Sequence, residues 1–312
     1  MMLKRSSGRI NVIEISRRSL LAAAAAQLAL PQENAPLTVT EARSGLRLER
    51  FGNPQRPAVA LFLPQVQDPS VVIEMPEHAW RKAVPDGQQE WFYKMFSSDP
   101  ALRGQVEWEG SGDRLAFTMT TPPGYVLRSQ ATLQADGLDI VHEISHKSVL
   151  RHAAVEAVTC FKLYRPFTDV FLDRTYVHHA DGLDLIASET KGRTSKNAEE
   201  WLPCRYIAQV GKNGRRGEYR VEKLDGITRY FKSKPADVAF LATESTTGNW
   251  TAATFARDCD SIFTNPARTC HHVDPEAKGI SNGQAILRLK LYLIKGRAQD
   301  AWRHVSAAAT IR

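Results

Sequence analysis

Residues 125–146 read Tyr-Val-Leu-Arg-Ser-Gln-Ala-Thr-Leu-Gln-Ala-Asp-Gly-Leu-Asp-Ile-Val-His-Glu-Ile-Ser-His. The last five match the spacing of a zinc-peptidase helix, so whether they form helix or strand decides both fold and chemistry. On a helix, His142 and His146 share one face, Glu143 beside them polarises a metal-bound water, and His152 falls where a third ligand belongs. On a strand the same histidines sit about 13 Å apart at roughly 3.3 Å per residue, whereas two ligands on one zinc need nitrogens within about 3–4 Å. The strand template fits better. Leu127, Ser129, Ala131, Leu133 and Ala135 alternate toward Asp136-Gly137, a two-residue turn pair, and Leu138, Ile140, His142 and Ile144 alternate away from it. At 100° per residue the apolar side chains of 138–150 scatter around the whole helix. An extended peptidase motif also asks for glycine at position 149, which is Val, and for a later methionine, yet none follows Met119. Strand, no metal cofactor, is the expectation; a zinc peptidase using His142, His146 and His152 is the alternative.

The rest of the chain has the same texture. Period-two runs separated by Gly, Pro, Asn and Asp recur at Leu46 to Phe51, Ala58 to Leu63, Gln105 to Glu109, Leu115 to Thr120, Val155 to Leu163, Arg174 to His178, Val238 to Thr243, Trp250 to Phe255 and Ile286 to Ile294. They predict an all-β antiparallel sandwich. Helical periodicity is confined to Ala298 to Ala309, with a short helix also expected within Met75 to Leu102. Lys191 to Glu200 and Asp260 to Thr269 read as polar loops.

The N-terminus stands apart. Ser16-Arg17-Arg18-Ser19-Leu20-Leu21 leads into an alanine run ending at Leu30, after Lys4, Arg5 and Arg9. This pattern resembles a bacterial twin-arginine export signal and is too short to span a membrane. Residues 1–35 are therefore expected to be leader and linker, with 36–312 a single domain outside the cytoplasm, periplasmic or extracellular. Five basic residues and one acid, Glu14, lie in 1–30, so removing them takes the formal +7 to +3. A basic balance built by a leader gives no case for nucleic-acid binding. The cluster Lys212, Arg215 and Arg216 reads as a solvated loop.

With 43% hydrophobic and 24% charged residues the chain is an ordinary globular one. Four cysteines in an exported chain raise the question of disulfides. Cys259 and Cys270 bracket one polar loop and are the expected pair, whose closure would stabilise by about 3 kcal/mol. Cys160, in an apolar alternating run, reads as a buried thiol.

The densest group of reactive side chains is Cys270-His271-His272-Val273-Asp274-Pro275. Two imidazoles and a carboxylate suit acid/base work near neutral pH. His272 and Asp274 are the leading catalytic pair because they can face the same way in an extended segment, with His142 or Glu143 as partners across a face. His271, Trp250 and Arg174 are candidate ligand contacts, since an aromatic face stacks on a pyranose and a guanidinium donates to hydroxyls. Of His178 and His179, neighbours on a strand, only one can join a given site.

The segments 138–177 and 250–296 resemble uncharacterised bacterial exported proteins whose fold is similar to the galactose-mutarotase-like β-supersandwich. Asp136-Gly137, Thr159-Cys160-Phe161, Pro166-Phe167-Thr168-Asp169, Arg174-Thr175-Tyr176-Val177 and the 270–275 motif carry that resemblance. It implies a large two-sheet sandwich whose concave face or loop rim receives a carbohydrate or polyol; it places no epimerase residues. A non-catalytic envelope role is the remaining expectation.

Overall fold

The computed structural model describes residues 37–310 apart from 54–55, 84–87, 147–151, 191, 193–196, 198–201, 212–216 and 281. The expected leader and the basic cluster at 212–216 lie outside the described residues. All that is described belongs to one compact unit, Pro36–Arg312.

The strands, in chain order, are β1 (Thr38–Thr40), β2 (Arg47–Asn53), β3 (Arg56–Phe62), β4 (Val71–Ala83), β5 (Gln89–Lys94), β6 (Gln105–Ser111) and β7 (Arg114–Thr120). There follow β8 (Tyr125–Gln134), β9 (Gly137–His146), β10 (His152–Leu163), β11 (Thr175–His179), β12 (Gly182–Leu185), β13 (Cys204–Gln209) and β14 (Arg220–Leu224). The last are β15 (Ile227–Phe231), β16 (Ala239–Glu244), β17 (Trp250–Ala256), β18 (Ser261–Asn265), β19 (Cys270–His272), β20 (Glu276–Ile280) and β21 (Gln284–Lys295), then helix α1 (Ala298–Thr310). They form a 12-stranded sheet, ordered β1-β2-β3-β4-β10-β19-β18-β13-β15-β14 with β5 on β4 and β20 on β10, and a 9-stranded sheet, ordered β12-β11-β16-β17-β21-β9-β8-β7-β6. Every described ladder is antiparallel except β13–β15. This is the two-sheet sandwich that the alternation predicts.

The deciding hairpin is β8–β9, in register Leu133↔Leu138, Ala131↔Ile140, Ser129↔His142 and Leu127↔Ile144. Because side chains alternate, that register puts every apolar member on the buried face. The turn falls one residue earlier than expected: Gln134 pairs with Gly137, so Ala135-Asp136 form the loop. Gly137 follows it at φ 145°, against β21, where a Cβ would overlap the Leu291 carbonyl oxygen. The glycine is required by close approach, not by a primed turn.

Leu48, Leu61, Ile73 and Phe161 from the larger sheet pack against Leu127, Ile140, Leu289 and Leu291 from the smaller, all essentially excluded from solvent. Helix α1 lays Ala298, Ala301, Trp302 and Val305 over Phe240, Ala253 and Tyr292 on the outside of the smaller sheet.

Two local expectations need correcting. The helix sought within Met75 to Leu102 is instead β4, β5 and a single 3-10 turn at Pro100–Leu102, because Trp80, Phe92 and Tyr93 pay better as packed strand residues. Asp260 to Thr269 is not a loop but β18 plus a 3-10 turn. Strand β20 pairs with β10 through Glu156↔Glu276.

Candidate functional site

Successive residues of a strand face opposite ways, and around β10 and β19 this sorts the polar groups into two sets. Thr159 and His271 point between the sheets; Glu156, Cys160, Lys162, Cys270 and His272 point to the outer face of the larger sheet, since their neighbours Ala157, Phe161 and Val155 belong to the core.

Between the sheets, both imidazoles are fully engaged. His142 shares hydrogen bonds with Ser129 Oγ (2.8 Å, from Nδ1) and Thr159 Oγ1 (2.9 Å, from Nε2). His271 does the same with Thr243 Oγ1 (2.7 Å) and, more loosely, Thr254 Oγ1 (3.3 Å). Burial pushes the pKa of each down to about 3, so both are neutral linkers between the sheets. Neither reaches the surface, and His142 is not a partner of His272 across a face. Glu143 lies exposed on the outside of the smaller sheet, away from the larger sheet's outer face. His146 Nε2 lies 3.0 Å from the Pro123 carbonyl oxygen. Since 137–146 is a strand, the zinc-peptidase alternative lacks the helix that would bring His142 and His146 together; the side chain of His152 lies outside the described residues.

The outer face holds the expected pair. His272 Nδ1 lies 3.6 Å from Asp274 Oδ2 and its Nε2 3.5 Å from Cys270 Sγ. A register shift in β10 between Val158 and Cys160 leaves the Thr159 N–H free to donate to Asp274 Oδ1 at 2.8 Å. Cys160 sits across from His272, and Asn265 Nδ2 donates to Cys270 Sγ at 3.3 Å. Burial opposes a charge on His272, but the Cys270 sulfur and the Asp274 carboxylate outweigh it and lift its pKa to about 10. The contact between the two thiols holds Cys270 well below the usual thiol range, helped by His272, and Cys160 well above it. On β4, three residues oppose the single residue Thr159 between Glu74↔Cys160 and His78↔Val158, and Glu77 falls in that irregularity. The carboxylates of Glu74 and Glu77 and the Cys160 sulfur lie within 4.8 Å of one another. Lys162 Nζ donates to Glu74 Oε1 at 2.5 Å, while Glu74 Oε2 and His272 Nδ1 are buried without a hydrogen-bond partner among the described residues.

Beside this cluster lies a rim that the sequence reading missed. His78 is flanked edge-on by Trp91 (5.6 Å) and Phe96 (6.3 Å). Lys94 lies over Trp91, and Arg56 and Lys162 over Phe96. Phe96 is 39% and Tyr164 43% exposed, high for aromatic residues. Glu156 lies on the same face opposite Trp80, which in turn opposes Trp91. Burial, then the Asp274 carboxylate, raise its pKa to about 8, against the Trp80 hydrogen bond. Its signal in sequence was an acid at an outward position of the apolar run Val155 to Leu163.

The remaining candidates are elsewhere. Trp250 packs on the core at the start of β17 with Lys295 5.6 Å from its ring. The Arg174 guanidinium donates to the Glu244 and Thr168 carbonyl oxygens, tying down the loop before β11. His178 stacks on Trp302 of α1 at 3.6 Å, and His179 bonds the Pro235 carbonyl. The Cys259–Cys270 disulfide is not formed, and none of the four cysteines is disulfide-bonded. Asn265 is the partner of Cys270, so six extended residues, roughly 20 Å of strand, separate Cys259 from it. Cys259 instead donates to the Ser261 carbonyl at 2.9 Å.

Two clefts, of about 800 and 630 Å³, open elsewhere. The first, at one end of the sandwich, is lined by the ion-paired Lys278, Asp260 and Glu276; the second lies outside the smaller sheet beside Lys290 and Tyr292. Neither combines aromatic rim and titratable cluster as the larger sheet's outer face does. No helix among the described residues is long and apolar enough to cross a membrane.

No protein-family model matches the sequence, and no curated protein matches it. Solved structures of similar architecture include a galactose mutarotase related enzyme from Lactobacillus acidophilus, at 10% identity and TM-score 0.46, covering 85% of this chain and 99% of that one. A galactose mutarotase-like protein from Lactobacillus casei is 11% identical with TM-score 0.44, covering 83% and 100%. The α-N-acetylgalactosaminidase NagBb from Bifidobacterium bifidum, in complex with GalNAc, is 11% identical with TM-score 0.48, covering 87% of this chain and 38% of that one.

Proposed function

We propose that the outer face of the larger sheet binds a carbohydrate or polyol, with Trp91 and Phe96 as stacking surfaces and Glu156 as the acid that meets its oxygen atoms. The observation that carries this reading is the meeting, on one face, of half-exposed aromatic side chains with cations over their rings and a carboxyl group kept protonated near neutral pH. An aromatic face removes the apolar side of a pyranose from water, and the neighbouring charged groups bond its hydroxyls. His272 and Asp274, only 2% and 7% exposed, underlie this surface and do not touch the ligand themselves. If the protein is an enzyme, Glu156 is the proton donor to a sugar oxygen. The same reading places it outside the cytoplasm, on the strength of the arginine pair Arg17-Arg18.

Tryptophan fluorescence and calorimetry across hexoses, uronic acids and short oligosaccharides test the proposal. Saturable binding is expected, abolished in Trp91→Ala with folding intact and retained in Glu156→Gln, which loses any turnover seen by polarimetry. A flat screen, or binding indifferent to Trp91→Ala, rules the reading out and leaves the envelope role.

A further inference from the structure

One sulfur pair and one imidazole on this face are arranged as ligands. The Sγ atoms of Cys160 and Cys270 and a ring nitrogen of His272 all lie within 4.8 Å of one another, and none of the three residues is more than 2% exposed. In a tetrahedral zinc site, metal–sulfur bonds of about 2.3 Å and metal–nitrogen bonds of about 2.0–2.1 Å put sulfur and nitrogen roughly 3.6 Å apart. The Cys270 Sγ to His272 Nε2 distance is 3.5 Å. We propose that Cys160, Cys270 and His272 bind one thiophilic divalent cation of the zinc type, with Asp274 orienting the imidazole.

The surroundings are those of a metal centre. Metal-bound histidine usually presents its other nitrogen to a carboxylate. Here Nε2 faces the sulfur and Nδ1 faces Asp274, itself fixed by the Thr159 N–H. Asn265 donates to the Cys270 sulfur, as outer groups do for a ligating thiolate. Glu74 and Glu77 both reach Cys160, and Glu74 Oε2, buried without a hydrogen-bond partner among the described residues, is the carboxylate on offer for a fourth position. Binding would release two protons to solvent, one from the Cys160 thiol and one shared by the Cys270 sulfur and His272 Nε2, and a dication would then balance two thiolates while Lys162 balances Glu74. A disulfide is the competing use of two neighbouring thiols. Cys160 pairs across from His272 and Cys270 from Lys162, so the cysteines are diagonal neighbours, roughly 7–8 Å apart and beyond the usual span of a disulfide. A metal ion bridges that gap; a sulfur–sulfur bond would have to drag the strands.

The proposal is independent of the carbohydrate reading and is tested without sugar. The full chain is reduced, stripped with chelator and titrated with zinc or cobalt(II). About one equivalent per chain is expected, with protons released, a raised melting temperature and, for cobalt, a thiolate charge-transfer band. Cys270→Ser and Cys160→Ser should lose the band, Asp274→Asn should weaken zinc about 10–100-fold, and Cys204→Ser should change nothing. The wild-type cobalt spectrum decides the matter if a serine variant fails to fold. A folded, reduced chain that takes up neither ion, a cobalt complex with no thiolate band, or undiminished zinc binding in folded Cys270→Ser overturns the proposal.

Discussion

His271 and His272 are neighbours in sequence and opposites in structure. His271 faces the seam between the sheets, where it and His142 each engage two hydroxyl partners. His272 faces out, stacked on Phe263 at 4.1 Å, its Nδ1 3.6 Å from Asp274 but without a hydrogen-bond partner among the described residues, as is Glu74 Oε2 across Cys160. Buried polar groups in folded proteins are nearly always bonded, and leaving one unbonded costs about 1–3 kcal/mol. A fully satisfied imidazole is thus part of the scaffold, whereas a cluster of unsatisfied ones is a place where stability has been given up to something else. Catalytic potential in a list of residue types does not separate the two; the direction of the side chain does.

The largest expected effect tests the seam. Both of its imidazoles titrate near pH 3 when folded, against about 6.5 when unfolded. Their contribution to stability is complete above pH 6.5 and is lost as pH falls toward 3, because the unfolded chain takes up protons the folded one refuses. The unfolding free energy in denaturant should therefore fall by about 5 kcal/mol for each imidazole across that window. Flat stability between pH 6.5 and 4 would break the contrast, since it would mean that the seam admits charge.

Next is His271→Ala, which takes one partner each from Thr243 and Thr254, leaving them Thr175 and the Leu241 carbonyl, and opens a cavity. A loss of about 3 kcal/mol is expected in urea unfolding at neutral pH. A cost under about 1 kcal/mol would make the seam histidine no more structural than a surface residue.

Much of this was legible in the sequence, for a physical reason: alternation in Leu127 to Ile144 reports which face is buried, so fold class, hairpin and the seam position of His142 follow from it. The facing of His272 and Asp274 on one side was legible too, as residues two apart on a strand. What sequence could not supply was cross-strand partnership. Cys160 meets Cys270 only because β10 pairs with β19, 110 residues on along the chain by number. Glu77 reaches Cys160 only through the irregularity in β4, and Trp91 reaches His78 only through β5. The disulfide expectation failed on the same ground: proximity in sequence stood in for a register that makes Asn265, not Cys259, the partner of Cys270.

The outer face has its own pH signature, of opposite sign to that of the seam. Glu156 titrates near pH 8 when folded and near 4.5 in the reference state, so its favourable contribution is complete below pH 4.5 and drains away as pH rises through 8. Glu156→Gln cannot ionise; it should match the wild type near pH 4.5 and exceed it increasingly as pH rises toward 8. Equal stability of the two proteins at high pH would show that Glu156 is solvated and would remove the proton donor from the face.

The smallest stability effect is expected at the rim itself. Trp91 packs edge-on to His78 and under Lys94, but it is not part of the core, unlike Trp80 across the ladder, which is 7% exposed. Trp91→Ala should cost less than about 1 kcal/mol, because a partly exposed ring has little burial to lose. Trp80→Ala should cost about 3 kcal/mol or more, the usual penalty for removing a buried indole. The pair sharpens the division drawn above, since two tryptophans facing each other on adjacent strands would then differ as the two histidines do, one holding the sheet and one left for a ligand. Equal losses in thermal unfolding would place Trp91 in the scaffold and take away the stacking surface on which carbohydrate binding depends.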